Sequence, residues 1–486
     1  MLRCSMVRQF IRPALAAPDA FAGVIIQTMP RTLHAPSALL PDGWGRNVAI
    51  DIDDAGTITA VRAGKGPNGA ESTGGPVIPG MANVHSHAFQ RAMAGLAERM
   101  GSADDSFWTW REVMYSFVRQ LDPQQQEVIA TQLYIELLRQ GYTGVAEFHY
   151  LHRDPGGKPY AEPAEASLAH VRAARAAGIA LTILPSLYGW SNFGDVPPEP
   201  PQRRFVTTPA ELLRIVERLR RELPANPDLR VGAAPHSLRA VNPAMLRDLV
   251  AGMDAMDPGA PLHIHLAEQV KEVNDCLSWG EKRPVQWLLD NVKVDARWCL
   301  VHCTHSMTSE LEKLAASGAV VGLCPTTGAN LGDGIFPFGR YRERGGRWGI
   351  GSDSHVSQTP VEELRWLEYV QRLGARRRNI AASAALPSVG ATLWREANAG
   401  GAQALCRQSG AIAPGLRADL VVLDHEHINL VGRDGDQLLD AMLFAGNDCV
   451  VRHVMVGGRW VVRDGAHALQ EQAAARYREV RRELTG

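Results

Sequence analysis

Two histidines around one serine, His85-Ser86-His87, end an apolar run that begins at Val77-Ile78-Pro79. In an extended strand, residues two apart point to the same side, so both imidazoles can converge on one point at the strand's end. Neutral imidazole is the commonest nitrogen ligand for zinc-like cations. The pair alone is a weak motif, and its meaning depends on whether other strand ends supply more ligands. Four other apolar runs end in a ligand or base: Ala234-Pro235-His236-Ser237-Leu238-Arg239, His263-Ile264-His265-Leu266-Ala267-Glu268, Trp298 to His302, and Gly349-Ile350-Gly351-Ser352-Asp353. His85, His87, His265 and Asp353 together make a zinc-type set, and a position left to water makes such a site catalytic.

These residues need a frame that brings five strand ends to one place. Apolar strand candidates recur at 77–85, 143–149, 180–187, 230–236, 261–265, 298–302, 319–324 and 347–353, with helical segments between them. Asp122-Pro123, Thr208-Pro209-Ala210-Glu211 and Thr359-Pro360-Val361-Glu362 are helix starts, with a capping residue followed by proline at the first helical position. Eight strand-then-helix units predict an α/β fold, a (β/α)8 TIM-like barrel, in which chemistry sits at the carboxyl ends of the strands. A doubly wound open sheet is the alternative, but no Gly-x-Gly-x-x-Gly follows the first strand. A binuclear site in such a barrel commonly uses a carboxylated lysine at the end of strand four. Gly232 to Arg239 contains no lysine, which favours one metal.

Short alternating runs flank the barrel. Val48 to Asp53 and Ile58 to Val61 lie before it; Ala418 to Asp424, Cys449 to Val456 and Arg459 to Val462 lie after it, punctuated by Gly457-Gly458 and Asp464-Gly465 turns. They predict a small β-sandwich domain formed from both chain ends. The expected division is an extension at 1–28, the N-terminal part of the sandwich at 29–78, the barrel at 79–407, and the rest of the sandwich plus a charged terminal helix at 408–486. The extension carries Arg3, Arg8 and Arg12 without an acid, and Met29-Pro30-Arg31 looks like a second start. His425-Glu426-His427 is another His-x-His, but it meets no barrel strand end and reads as surface or packing. His149 and His152 are weaker site candidates. His305 and His355, just past strand ends, read as supports for the ligands, and His263 as an orienting or packing residue.

Composition fits a soluble globular enzyme: 45% hydrophobic and 21% charged residues among 486. A net charge of -1, with no basic stripe interleaved with aromatics, argues against nucleic acid as partner. No apolar run reaches membrane-spanning length. The 7 cysteines are scattered and odd in number, which suits thiols in a reducing cytoplasm.

The ligand pattern resembles the amidohydrolase superfamily in its mononuclear aminohydrolase branch. The likeness runs from Met29 through Pro414-Gly415-Leu416-Arg417-Ala418-Asp419. Six further segments, at 107–111, 147–150, 234–239, 322–327, 329–336 and 351–355, together resemble the formimidoylglutamate deiminases of histidine degradation. The resemblance implies hydrolysis of N-formimino-L-glutamate to N-formyl-L-glutamate and ammonia, with one divalent ion per chain, best matched by zinc. It implies metal ligation by His85, His87, His265 and Asp353. It further implies proton transfer by Glu268 and stabilisation of the attacking oxygen by His302, with Asp353 also able to relay a proton. Arg111 and Arg239 would hold the two substrate carboxylates, helped by Gln90, Tyr150 and His236. A cytoplasmic homodimer is implied as well. One departure stands out: Gly328 occupies a position where the family pattern carries an acid. Two other readings share much of this text: an aminohydrolase for a purine, pyrimidine or triazine, which has no use for two arginines, and a non-catalytic barrel, which would be expected to lose ligands.

Overall fold

A computed structural model describes residues 31–100, 106–223 and 226–485. The segment expected as an N-terminal extension lies outside the described residues. Eight parallel strands form a closed barrel: Met81–Ser86, Tyr142–His149, Ala180–Leu187, a broken fourth strand of Leu229–Val231 and Ala234–Pro235, then Leu262–Leu266, Trp298–His302, Val320–Leu323 and Arg347–Ile350. The eighth strand returns to the first through Ile350 and Asn83. The fourth meets the fifth through the bridges Ala233–Leu262 and Ser237–His265. The break falls at Gly232, where a Cβ would stand 2.4 Å from the Pro261 carbonyl oxygen; only glycine lets the backbones approach so closely.

Every residue of the second and third strands is buried, as expected where helices cover one face of a parallel sheet and the barrel interior fills the other. The covering helices start where the caps predicted. Asp122 accepts from the Gln125 N–H ahead of Pro123–Arg139, and Thr208 from the Glu211 N–H ahead of Pro209–Glu222. Thr359 accepts from the Val361 N–H ahead of Pro360–Ala375. In Pro209–Glu222, Leu212, Ile215, Val216 and Leu219 form one buried stripe facing the barrel.

The chain ends form a second, eight-stranded sheet. Its order runs Arg459–Val462, Val451–Val456, Leu420–Leu423, Val77–Pro79, Arg31–Leu40, Gly43–Ile52 and Ile58–Arg62, with Glu71–Ser72 also beside Arg31–Leu40. Strand alternation gives this sheet two apolar faces. Leu420 and Val422 join Leu33, Val48, Ile50 and Met455 in a core of the sheet's own. Val421 and Leu423 join the main core with Val454, Val456 and the barrel's outer residues.

A buried ionic cluster ties the two parts beneath the barrel. Arg407 binds Asp228 at 2.7 Å and Asp419 at 2.6 Å. Arg417 grips Asp228 with two nitrogens, at 3.0 and 2.8 Å. The two guanidinium groups hold the Asp228 carboxyl below its usual range, against burial, which pulls the other way. The terminal helix, Gln470–Thr485, packs Tyr477, Val480 and Leu484 against the core that contains Ile129. Among the described residues no helix is long and apolar enough to cross a membrane.

Candidate active site

The carboxyl ends of the first, fifth and eighth strands bring His85, His87, His265 and Asp353 together. The His265 Nε2 lies 3.0 Å from the His85 Nε2 and 3.3 Å from the His87 Nε2. The Asp353 Oδ1 lies 3.5 Å from the first and 3.6 Å from the second of the paired histidines. The same strand ends are laced together by backbone bonds, Asp353 N–H to His85 O and His87 N–H to Asp353 O. Gly351 permits that contact, since a Cβ there would stand 2.7 Å from the His85 Cβ.

The histidine tautomers follow from their neighbours. The His87 Nδ1 lies 2.8 Å from the Phe148 carbonyl, and the His265 Nδ1 lies 2.8 Å from the His236 carbonyl. A carbonyl only accepts, so each Nδ1 carries the hydrogen and each Nε2 presents a lone pair. Burial lowers the pKa of all three histidines, so they are neutral near pH 7. The His87 and His265 lone pairs, aimed at one another across 3.3 Å, repel unless a cation lies between them. Ligands about 2.0–2.1 Å from a shared tetrahedral ion would be separated by roughly 3.3 Å. The donor set therefore fits a divalent metal, and the backbone carbonyls supply the outer support that fixes ligating imidazoles.

His302 stands beside this group. Its Nε2 is 3.7 Å from the Glu268 Oε1 and 3.9 Å from the Asp353 Oδ2. Strand alternation would send His302 outward with Leu300. Left-handed backbone at His302 (φ 70°) and Cys303 (φ 53°) breaks that alternation, and the side chain lines the site pocket instead. Burial, helped by the nearby Asp353 charge, pushes the Glu268 carboxyl up to about 8. A carboxyl poised there can exchange a proton near neutral pH.

The pocket above these groups is lined by Gln90, Arg111, Tyr150, His236 and Arg239 as well as by His87, His265, Glu268, His302 and Asp353. Arg111 comes from the helix Phe107–Val118, and Arg239 from the turn after the fourth strand. The indole of Trp108 lies under both, 4.8 Å from one guanidinium carbon and 5.7 Å from the other. Both Nε atoms are buried without a hydrogen-bond partner, and neither arginine is in a salt bridge with a carboxylate among the described residues. Two unpaired guanidinium groups in one pocket are a seat for anionic groups.

Other candidates fall elsewhere. His149 packs 4.8 Å from His170, away from the ligands. His152 bonds the Ser186 carbonyl, and His263 bonds the Ala404 carbonyl. His425 is an exposed side chain beside Glu426. Gly328 faces Asp333: a Cβ there would stand 3.9 Å from the Asp333 Oδ2, so a carboxylate already occupies that neighbourhood. It accepts from the Gln269 amide.

A network under the ligands includes His355, read from sequence as a support, while its other members were not assigned that role from sequence. The Ser86 hydroxyl donates to the Glu147 Oε2 at 2.6 Å and so accepts from the His355 Nε2–H at 3.0 Å. The His355 Nδ1 is 3.1 Å from the Ser352 Oγ, which accepts from the Asn83 amide at 2.6 Å. The Glu147 Oε1 takes the Ala88 N–H at 2.7 Å. This chain pins the first and eighth strand ends from behind. Apart from His355 just past a strand end, its sequence signals are a serine between two histidines and an acid inside an apolar strand.

Residues 77–461 match the amidohydrolase family, and residues 30–75 match the N-terminal domain of formimidoylglutamate deiminase HutF. A formimidoylglutamate deiminase of Pseudomonas aeruginosa is 54% identical over 93% of this chain and 99% of its own. An 8-oxoguanine deaminase of the same species is 28% identical over 80% of this chain and 83% of its own. The crystal structure of an amidohydrolase from Brucella melitensis superposes with a TM-score of 0.89 at 44% identity, covering 94% of this chain and 100% of that one.

Proposed function

The chain belongs to the amidohydrolase family, and from that premise we propose that it hydrolyses N-formimino-L-glutamate to N-formyl-L-glutamate and ammonia in histidine degradation. The observation that carries the substrate choice is the pair Arg111, half-buried, and Arg239, buried, which line the pocket with the metal ligands and have no carboxylate partners among the described residues. A substrate with two carboxylates supplies what they lack, whereas an uncharged heterocycle would leave both charges unmet.

His85, His87, His265 and Asp353 would hold one divalent ion, and three imidazoles with one carboxylate suit zinc. When bound, the ion supplies Lewis acidity that brings water's acidity close to neutral pH. The chain's own groups do the rest. Arg111 and Arg239 hold the carboxylates and so fix the formimino carbon over the Glu268 and His302 side. Glu268 accepts a proton from the attacking water at its carboxylate. His302 hydrogen-bonds the attacking oxygen through its Nε2 while the carbon becomes tetrahedral. Glu268 then returns that proton to the imino nitrogen, making it NH2; the hydroxyl's remaining proton passes to the same nitrogen, the carbonyl forms as the carbon–nitrogen bond breaks, and ammonia leaves. Asp353, with its Oδ2 3.9 Å from the His302 Nε2, is placed to share that proton.

Ammonia release should be measured for formiminoglutamate, guanine, cytosine and adenosine in one panel. Turnover of formiminoglutamate alone is the expected result. Preferred turnover of a heterocycle would overturn the reading.

A further inference from the structure

Two tyrosines in the pocket have hydroxyl hydrogens with no acceptor among the described residues. Tyr115 lies one helical turn beyond Arg111, on the same face of Phe107–Val118. Tyr188 directly follows the third barrel strand, Ala180–Leu187. Both are buried and both line the pocket that contains the metal ligands. The Arg111 guanidinium lies 5.2 Å from the Tyr115 ring, and the Tyr188 ring lies 4.9 Å from His236.

Gln202 decides how their hydrogens point. Its Oε1 accepts from the Glu199 backbone N–H at 2.7 Å. A backbone N–H can only donate, so this end of the amide is the oxygen and the other end is the NH2 group. That NH2 group lies 3.0 Å from the Tyr115 hydroxyl and 2.8 Å from the Tyr188 hydroxyl. Both hydroxyls therefore accept from Gln202, and each retains its own hydrogen to give away. Burial raises the pKa of both phenols, which keeps those hydrogens in place at neutral pH. Gln202 is fully buried on the short turn Pro200–Arg204, so the arrangement is fixed before any ligand arrives.

We propose that Tyr115 and Tyr188 are substrate-binding donors, their hydroxyl hydrogens turned into the pocket by Gln202 to meet one of the two carboxylates that Arg111 and Arg239 hold. The inference rests on the dicarboxylate reading above. Two arginines supply charge, but an sp2 carboxylate has about four lone-pair directions, and fixed hydroxyl donors select the orientation in which it docks. Because the carboxylate is remote from the reacting carbon, this contact belongs to ground-state and transition-state binding alike, and its loss raises KM more than it lowers kcat.

The test uses Tyr115→Phe, Tyr188→Phe and the double variant. Each is assayed on N-formimino-L-glutamate and on two analogues that each lack one carboxylate, N-formimino-4-aminobutyrate and N-formimino-L-2-aminobutyrate. Where an analogue turns over too slowly, its inhibition constant replaces KM. A hydrogen bond to a charged group predicts roughly a tenfold or greater rise in KM per hydroxyl, with kcat nearly constant and metal content unchanged. On the analogue that lacks the contacted carboxylate, the same variants should show no penalty. A hydroxyl that merely braces Gln202 would give equal effects on all three substrates, and that result, like an unchanged KM, overturns the proposal. Gln202→Met should raise KM towards the double variant's value with kcat retained; an unaltered KM there removes Gln202 from the scheme and overturns it. If the wild-type enzyme fails to prefer formiminoglutamate over both analogues, the dicarboxylate reading itself has failed, a result distinct from the tyrosine variants behaving like wild type.

Discussion

Replacing Arg239 by methionine isolates the charge from the fold. Arg239 is 5% exposed, its Nε has no hydrogen-bond partner, and its one ring contact is the Trp108 indole 5.7 Å away. The substitution therefore breaks no ion pair among the described residues and forfeits about 2 kcal/mol of cation–π attraction, the scale of a desolvated site. The cost to the substrate is larger. A bidentate guanidinium–carboxylate contact comprises two charge-assisted hydrogen bonds at roughly 1.5–3 kcal/mol each, so about 3–6 kcal/mol disappears. At tenfold per 1.4 kcal/mol, kcat/KM should fall roughly 140- to 20,000-fold. A pH effect accompanies it. Arg239 holds the Glu268 carboxyl down, against burial and the Asp353 charge, which push it up to about 8. Without Arg239 that pKa moves higher. A base works when ionised, so the acid limb of the kcat/KM profile should shift to higher pH. Steady-state ammonia release across pH, with metal content measured on the same samples, gives both quantities. Wild-type kcat/KM at full metal occupancy would refute the reasoning, and loss of metal would show that the residue supports the ligands instead.

Three further outcomes follow from named contacts. Glu268→Gln keeps the side chain's shape but cannot carry the proton, so kcat should drop about 10²- to 10⁴-fold while bound metal, read by elemental analysis, stays stoichiometric. Ser86→Ala leaves the His355 Nε2–H without its acceptor and the Glu147 carboxylate one donor short. Competition with a chelator should show metal affinity weakened roughly 10- to 100-fold, and an unchanged affinity would count against the bracing role. Arg407→Leu strips a partner from buried Asp228 and Asp419. Urea unfolding should register a loss of about 3–5 kcal/mol with kcat at 25 °C preserved, because the cluster lies beneath the barrel and the pocket at its mouth.

The recurring strand-and-helix text made the barrel legible, and strand ends carrying His, Glu and Asp made the ligands legible as a set. Both signals are local: an apolar run, a cap, a polar terminus. What stayed hidden depends on backbone departures and on contacts between distant segments. His302 was legible as a strand-end site residue, but alternation alone would have turned it away from the pocket, and the positive φ that turns it in cannot be read from the sequence. The network from Asn83 through Ser352, His355 and Ser86 to Glu147 joins the first, second and eighth strands, which lie up to 269 positions apart. Ordinary serines and an asparagine announce no such role. The Tyr115–Gln202–Tyr188 arrangement was equally invisible, because the helix carrying Tyr115 and the connection carrying both Tyr188 and Gln202 lie far apart in sequence and meet only when the barrel closes.

Building one sheet from both chain ends also orders events during synthesis. The Val77–Pro79 strand finds its antiparallel neighbour in Leu420–Leu423, whose residues are made more than three hundred positions later. At ~5–20 residues per second, that edge waits on the ribosome for roughly 15 to 70 s. Meanwhile the hairpins Arg31–Leu40, Gly43–Ile52 and Ile58–Arg62 can pair among themselves, but the face they share with Leu420, Val422 and Met455 stays incomplete. The nascent chain thus carries an open, apolar strand edge throughout translation of the barrel. Holdase chaperones that shield such edges have their longest window here, and a premature stop before Leu420 leaves the edge permanently bare. The last strands to be made are the ones that retire it.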